Sequence, residues 1–190
     1  SLILVGSVMV YSAIFLGPWG KLKNAAFDVG TANWWGFAAA FLLISFGAIP
    51  AVVAACSSFA RIFGKISQST KVVFIRFSRS LLPLGLFSWI AFTVSFAFSK
   101  LAYLWPVFSD PFGWGWNLFG NADAAWQPYL VEVTPWIIVA LLVIGLIWTA
   151  KSVISTALIL GVSVERKSAA LPLISFGLTQ AVFMMWLLVG

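Results

Sequence analysis

Residues 80–99 read SLLPLGLFSWIAFTVSFAFS, and this stretch decides the fold. It contains twenty residues and no charge, and it lies between Arg79 and Lys100. A bilayer core about 30 Å thick is crossed by roughly 20 apolar residues in an α-helix. The stretch therefore predicts one membrane-spanning helix of nearly ideal length.

The same count of charge-free runs predicts five spans within one transmembrane domain that covers residues 1–190. These are residues 2–17, 34–60, 80–99, 136–158 and 169–190. Pro50 lies inside the second span and predicts a kink there. Apolar residues reach both ends of the sequence, so we expect either a chain cut at both ends or the membrane portion of a longer polypeptide. The expected fold class is an all-α integral membrane bundle of about five transmembrane helices with an aromatic-rich re-entrant or interfacial outer loop.

Composition indicates the same fold class and argues against several kinds of metal and cofactor site. Hydrophobic residues make up 62% of the chain and charged residues 8%, whereas soluble domains carry about a quarter charged residues. There is no histidine, the usual haem, zinc and copper ligand, and Cys56 is the single cysteine. One thiol cannot hold an iron-sulfur cluster. We expect these residues to bind no cofactor or metal, with structural lipids as the exception.

The charges of the connecting segments predict the orientation in the membrane. Residues 61–79 contain five Lys and Arg and no acid, which indicates the cytoplasmic side. Residues 100–135 contain one base and three acids and are placed outside. This puts the N-terminus in and the C-terminus out, in a cytoplasmic membrane of the bacterial or archaeal type. We therefore attribute the net charge of +6 to membrane topology and contact with lipid, and we expect no nucleic-acid partner.

The predicted outer loop, residues 100–135, is too aromatic for a solvated linker. Asp110 followed by Pro111, and the run of residues 113–116, favour a defined turn. One interpretation is an interfacial segment with its rings in the headgroups. The other is a docking surface for a partner subunit or for a lipid or quinone. The candidate contact residues are Trp105, Trp114, Trp116, Trp126 and Tyr129.

Small residues recur in the second span, mostly at four-residue spacing. Such a stripe lets membrane helices approach closely. Ordinary packing inside the bundle is the expected role, and an oligomer face is the alternative. The stripe consists of Gly36, Ala40, Gly47, Ala51 and Ala55.

Lys151 is the one ionisable residue placed well inside an apolar run, which makes it a candidate for function. It follows Trp136 by fifteen residues, or about 22 Å of helix. From that depth a lysine side chain can reach the cytoplasmic interface, and this is the favoured interpretation. We find no catalytic dyad, paired carboxylate or phosphate loop, so the sequence predicts no catalytic residues of its own.

Two segments carry a resemblance to a known family. Residues 80–86, SLLPLGL, followed by residues 109–120, SDPFGWGWNLFG, resemble the membrane region of polyferredoxin-type proteins. In that family several helices accompany cysteine-rich 4Fe-4S modules of respiratory chains. The resemblance covers roughly residues 75–150. The cluster-binding cysteines are missing here, and residues 87–89, FSW, occupy the stretch where histidines often follow.

The resemblance implies an anchor whose electron-carrying partner lies in other residues or in another subunit. The predicted function is therefore a non-catalytic membrane anchor or ancillary subunit of a larger membrane complex. We expect a respiratory, electron-transfer assembly, with other membrane subunits and lipids as partners and a contribution to a quinone or lipid pocket. The alternative is a transporter or channel component. That alternative requires the hydroxyl side chains of the spans to converge on one lumen with Lys151.

Overall fold

The computed structural model describes residues 1–16, 20–122, 125, 127, 130–163 and 168–189. Every regular element in these residues is a helix. The α-helices are α1 (Leu2–Leu16), α2 (Gly20–Phe27), α3 (Ala32–Leu42), α4 (Ile49–Phe63), α5 (Thr70–Ser80), α6 (Leu82–Lys100), α7 (Leu104–Ser109), α8 (Thr134–Ile159) and α9 (Leu171–Val189). A π-helical segment, Leu43–Ala48, joins α3 to α4, and a 3₁₀ turn, Leu101–Tyr103, joins α6 to α7. The prediction of an all-helical chain is confirmed.

Four helical segments in the described part of the chain are long and apolar enough to cross a membrane. They are Ala32–Phe63, Thr70–Phe98, Thr134–Ile159 and Ser168–Val189. Helix α1 is apolar as well, but its 15 residues fall short of the roughly 20 that a bilayer core requires. The five predicted spans therefore correspond to four long segments and one short apolar helix.

The basic segment between the second and third predicted spans is folded, because α5 occupies most of it. Arg61 closes the turn that precedes α5. Its Nε donates to the carbonyl oxygen of Gln68 at 2.8 Å, and its Nη1 donates to Oγ1 of Thr70 at 3.2 Å. Helix α5 then leads into α6 through Leu81, so the third apolar segment begins about ten residues earlier than the sequence predicted.

The irregularity predicted at Pro50 takes the form of the π-helical segment. Proline has no N–H to donate, and its ring clashes with the carbonyl four residues earlier. The backbone just before it follows an i→i+5 pattern, in which the N–H of Ile49 donates to the carbonyl of Ile44. Short π segments of this kind interrupt α-helices without ending them. The stretch Ala32–Phe63 thus stays helical throughout.

The interior is built around α1, α6, α8 and α9. One buried cluster brings together Val8, Ala91, Ile138, Leu142 and Met184, which come from these four helices. A second cluster extends the core toward α4 and α5 through their fully buried side chains. The core therefore lies between the long helices, and the loop after α7 lies outside it.

Hydrogen bonds tie α6 to α8 and to α1. Leu84 lies in the first turn of α6, where backbone N–H groups have no partner inside the helix. Its N–H donates to Oγ1 of Thr149 on α8 at 3.0 Å, in a buried position. The indole Nε1 of Trp89 donates to the carbonyl of Leu4 on α1 at 3.1 Å. These contacts fix how α6 sits between α1 and α8.

Candidate functional site

The turn after α7 is organised by the carboxylate of Asp110. Oδ1 accepts a hydrogen bond from the N–H of Trp114 at 2.9 Å, and Oδ2 accepts one from the N–H of Gly115 at 2.8 Å. Gly113 and Gly115 have φ angles of +68° and +79°, in the left-handed region that glycine adopts without strain. The defined turn predicted from this part of the sequence is confirmed.

The turn holds three aromatic rings against one another. The centroids of Phe112 and Trp114 lie 4.9 Å apart, and those of Trp114 and Trp116 lie 5.1 Å apart with planes at 84°. Trp114 is 68% exposed and Phe112 62% exposed. We call Phe112, Trp114 and Trp116 the aromatic tip. Its rings are exposed and belong to neither of the two core clusters.

Of the other predicted contact residues, the structure describes Trp105. Trp105 lies on α7 with an exposed side chain. Trp126 and Tyr129 lie outside the described residues. Of the five candidates, the structure thus brings together Trp114 and Trp116.

Asp110→Ala is expected to unfold the aromatic tip. Two charge-assisted hydrogen bonds to backbone N–H groups disappear, and bonds of this kind contribute about 1.5–3 kcal/mol each where they are well formed. We expect cleavage by chymotrypsin after residues 112–116 to accelerate about tenfold in detergent micelles. Asp110→Asn keeps one acceptor, so its cleavage rate should lie between those of Asp110→Ala and the parent. Glu132→Ala, which removes an exposed carboxylate from the same connection, is the control, and an equal acceleration there would contradict the role of Asp110.

A partly open apolar cavity of about 420 Å³ lies between α1, α2 and α3. Its lining residues are Tyr11, Ile14, Phe15, Ala26, Phe27, Trp34, Phe37, Ala38, Phe41 and Leu42. A second cavity of about 200 Å³ lies on the other side of Tyr11 and Phe15, against rings of α6. Ligand sites are commonly concave, aromatic and of this size. We call the larger one the Tyr11 cavity.

Tyr11 and Trp34 are the two lining residues of the Tyr11 cavity whose side chains carry a polar group. Neither the hydroxyl of Tyr11 nor the indole N–H of Trp34 makes a hydrogen bond to any residue that the structure describes. This cavity could not be predicted from the sequence, because its walls come together only when α1, α2 and α3 pack against one another. The pairs Tyr11 with Phe15 and Phe37 with Phe41 share a helix face, but such spacing is equally typical of a lipid-facing surface.

Lys151 lies on the outer face of α8 and not in the bundle interior. It borders a shallow surface groove with Ile144, Ile147 and Trp148. No Ser or Thr is among the residues that line this groove. Thr93 and Thr179, two of the hydroxyl residues in the spans, donate to carbonyls of their own helices at 2.8 and 3.0 Å.

Gln180 is a buried polar residue that the sequence analysis did not single out. It lies on α9 with 1% of its surface exposed, and its Nε2 donates to Oγ of Ser88 at 3.5 Å. Its Oε1 has no hydrogen-bond partner among the described residues. The available signal was an amide side chain inside a predicted span. Its contact with α6 fits a polar link between membrane helices.

The small-residue stripe faces away from the rest of the bundle. All five residues are exposed. A Cβ placed on Gly36 would meet no atom within 4 Å, and one on Gly47 would meet only Leu43 of the same helical stretch at 4.0 Å. The sequence predicted that the stripe packs inside the bundle. In the structure its residues are exposed and do not pack against the other helices of this chain. The faces of α4 that pack inward carry Val53, Ser57 and Ala60.

Cys56 is half-buried on α4, and its Sγ donates to the carbonyl of Pro172 on α9 at 3.7 Å. This contact links two helices and places the thiol in a packing role. Among the residues that the structure describes, no three His, Cys, Asp or Glu side chains gather into a group that could hold a metal ion.

Fold and surfaces together define the class: an all-helical chain with four helices suited to crossing a membrane, an aromatic tip and an apolar cavity. No family model, curated protein or solved structure matches this chain.

Proposed function

We propose that this chain is a membrane-embedded anchor or ancillary subunit that packs against another membrane subunit through its small-residue stripe. The observation that carries the proposal is the outward direction of the stripe on Ala32–Phe63. This segment is also the least buried of the four candidate spans, at 17%. The rest of the chain therefore covers a smaller share of this segment than of the other three.

Helix association in lipid does not come from apolar area alone, because lipid tails are as apolar as leucine. It comes from close backbone approach, van der Waals contact and polar links. A row of exposed Gly and Ala residues permits that approach. The stripe is thus the described surface best suited to a partner helix.

Site-specific photocrosslinking tests this proposal in native membranes. A photoreactive amino acid is introduced at Gly47 or Ala51, and the crosslinked products are identified by mass spectrometry. The same probe at Ser155, an exposed small residue of α8, is the matched control. We expect one partner subunit to be captured from both stripe positions and not from Ser155.

A lipid-only product at the stripe, or the same protein captured equally from Ser155, would overturn the proposal. Capture of a second copy of this chain would replace the ancillary subunit by a homo-oligomer. The redox setting implied by the polyferredoxin resemblance is tested by the same products. A partner with 4Fe-4S or haem spectra would support a respiratory assembly, and a partner without redox centres would count against it.

The Tyr11 cavity supports a second element of the function, a site for the chain and carbonyl of a quinone or lipid. The sequence analysis expected such a contact at the outer-loop aromatics, but the cavity that the structure offers lies elsewhere. Its aromatic walls suit an apolar chain, and the free donors of Tyr11 and Trp34 suit a carbonyl oxygen. This arrangement needs no metal and no charged group.

Ala38→Phe is expected to block the Tyr11 cavity, because the new ring fills the space between α1 and α3. We expect labelling by a photoreactive quinone analogue at this cavity to fall about tenfold. Ala39→Phe adds the same ring at the neighbouring, exposed position and should leave labelling unchanged. Equal labelling of the parent and both variants would show that the cavity does not take the quinone. A photoreactive phospholipid in place of the quinone then tests the lipid alternative.

A further inference from the structure

Another cavity, of about 220 Å³, lies between α5 and the end of α8, and polar residues form most of its lining. It is lined by Arg76, Arg79, Ser80, Ser152, Thr156 and Ile159. Two guanidinium groups and three hydroxyls thus border one small space. We propose that this cavity binds the phosphate of an anionic phospholipid.

The spacing of the residues builds the site from two helices. Arg76 and Arg79 are three residues apart on α5, and Ser152 and Thr156 are four apart on α8, so each pair shares a helix face. The helices are held together by the core cluster that contains Phe77 of α5 and Val153 of α8. The position of the site therefore does not depend on a loop.

The polar groups that line the cavity are available to a ligand. Neither Arg76 nor Arg79 has an ion pair or hydrogen bond within the part of the chain that the structure describes, and the hydroxyls of Ser152 and Thr156 make no hydrogen bond there either. The Ser80 hydroxyl is different, because its Oγ donates to the carbonyl of Phe77 at 2.7 Å. The expected donors are thus the two guanidinium groups and the two hydroxyls of α8.

An anion is the chemistry that these donors recognise. Guanidinium groups bind phosphate oxygens in a bidentate manner, and hydroxyls complete the coordination. Three of the five acids, Asp28, Asp110 and Glu132, lie in segments other than α5 and α8, while Asp123 and Glu165 lie outside the described residues. No described carboxylate therefore lines the cavity.

The surroundings favour a lipid over a free phosphate. Ile159 is 67% exposed beside the cavity, and Ile75 and Leu158 are exposed on the same two helices. Ile159 thus provides an apolar side chain at the cavity itself, and the other two add exposed apolar surface to the helices that carry the phosphate donors. On the topology predicted from the charges, the cavity faces the cytoplasmic leaflet, where basic pockets between helices bind anionic headgroups. The inference rests on the proposed membrane-embedded function.

The test is native mass spectrometry of the purified chain in neutral detergent, with added phosphatidylglycerol or phosphatidylcholine. We expect the parent to retain phosphatidylglycerol at about tenfold lower lipid concentration than phosphatidylcholine. The variant Arg76→Gln with Arg79→Gln should lose this preference. Lys65→Gln with Lys71→Gln removes the same charge from exposed positions outside the cavity and should keep it.

Two further variants separate recognition from folding and from bulk charge. Arg76→Lys with Arg79→Lys keeps the charge and should reduce retention in part, because an ammonium group lacks the bidentate geometry. Ser152→Ala with Thr156→Val should reduce retention about threefold without any change of charge. Circular dichroism checks that each variant is folded, and the lysine pair keeps the test decisive if the glutamine pair does not fold.

Three results would overturn the inference. These are equal retention of the two lipids by the parent, an equal loss in the Lys65 and Lys71 variant, and displacement of phosphatidylglycerol by millimolar inorganic phosphate. The last result would assign the cavity to a free phosphate. None of them bears on crosslinking at Gly47 and Ala51, so the inference and the proposed function fail separately.

Discussion

Gly145→Ala is expected to destabilise the bundle by about 1–3 kcal/mol, and Gly145→Val by more, because α6 and α8 approach closely at this residue. A Cβ on Gly145 would lie 2.7 Å from Cβ of Phe87. Cβ atoms are fixed to the backbone, so a change of rotamer cannot relieve the overlap and the two helices must separate. Thermal unfolding in detergent micelles measures the loss.

Two other glycines give a graded control for this prediction. A Cβ on Gly177 of α9 would meet Cδ2 of Leu84 at 3.4 Å, an ordinary contact, and one on Gly36 would meet nothing within 4 Å. We therefore expect Gly177→Ala to have a small effect and Gly36→Ala to have none on the isolated chain. Equal unfolding temperatures for Gly145→Ala and Gly36→Ala would show that α6 and α8 are not as close as described.

Thr149→Val is expected to lower the free energy of unfolding by about 1–2 kcal/mol, although the two side chains have nearly the same shape. The change removes the acceptor of the Leu84 N–H, which lies at a helix start and has no partner within α6. Side-chain hydrogen bonds between membrane helices average only about 0.6 kcal/mol. A buried N–H left unpaired adds a further penalty, which is why the larger value is expected here.

Thr149→Ser retains the hydroxyl and should recover most of this stability. Thr179→Val is the matched control, because the Thr179 hydroxyl is exposed and donates only to the carbonyl of Ser175 in its own helix. That carbonyl lies inside α9 and needs no second donor. If Thr179→Val lost as much stability as Thr149→Val, the hydrogen bond between Thr149 and Leu84 would not be the cause of the loss.

The sequence predicts the helices of this chain well because charge-free length is a direct signal. Residues 136–158 and 34–60 were predicted to within three residues of Thr134–Ile159 and Ala32–Phe63. Helix α5 was read as a loop, since Lys71, Arg76 and Arg79 interrupt its apolar residues. Those charges lie on its exposed side, while Val73 and Phe77 are buried.

The direction in which a helix face points could not be predicted in the same way. In water the apolar face of a helix is the buried face, but in lipid both faces are apolar and the pattern carries little information. For this reason the stripe from Gly36 to Ala55 was expected inside the bundle and lies outside it. The Tyr11 cavity and the cavity lined by Arg76 and Arg79 could not be predicted from the sequence either, because each joins residues that only tertiary packing brings together.

The π-helical segment Leu43–Ala48 fixes the azimuth of α3 relative to α4. Each i→i+5 hydrogen bond encloses one more residue than an α-helical bond does, so deleting one residue there would restore the regular ladder. A π turn holds about one residue more than an α turn, so the shorter ladder would leave α3 and α4 at nearly the same relative azimuth. Val53 would stay in the core, and Gly36 and Ala40 would stay exposed. Loss of a single codon within Leu43–Ala48 should therefore be tolerated, whereas the same loss within α4 would turn the residues on its two sides by about 100° against one another.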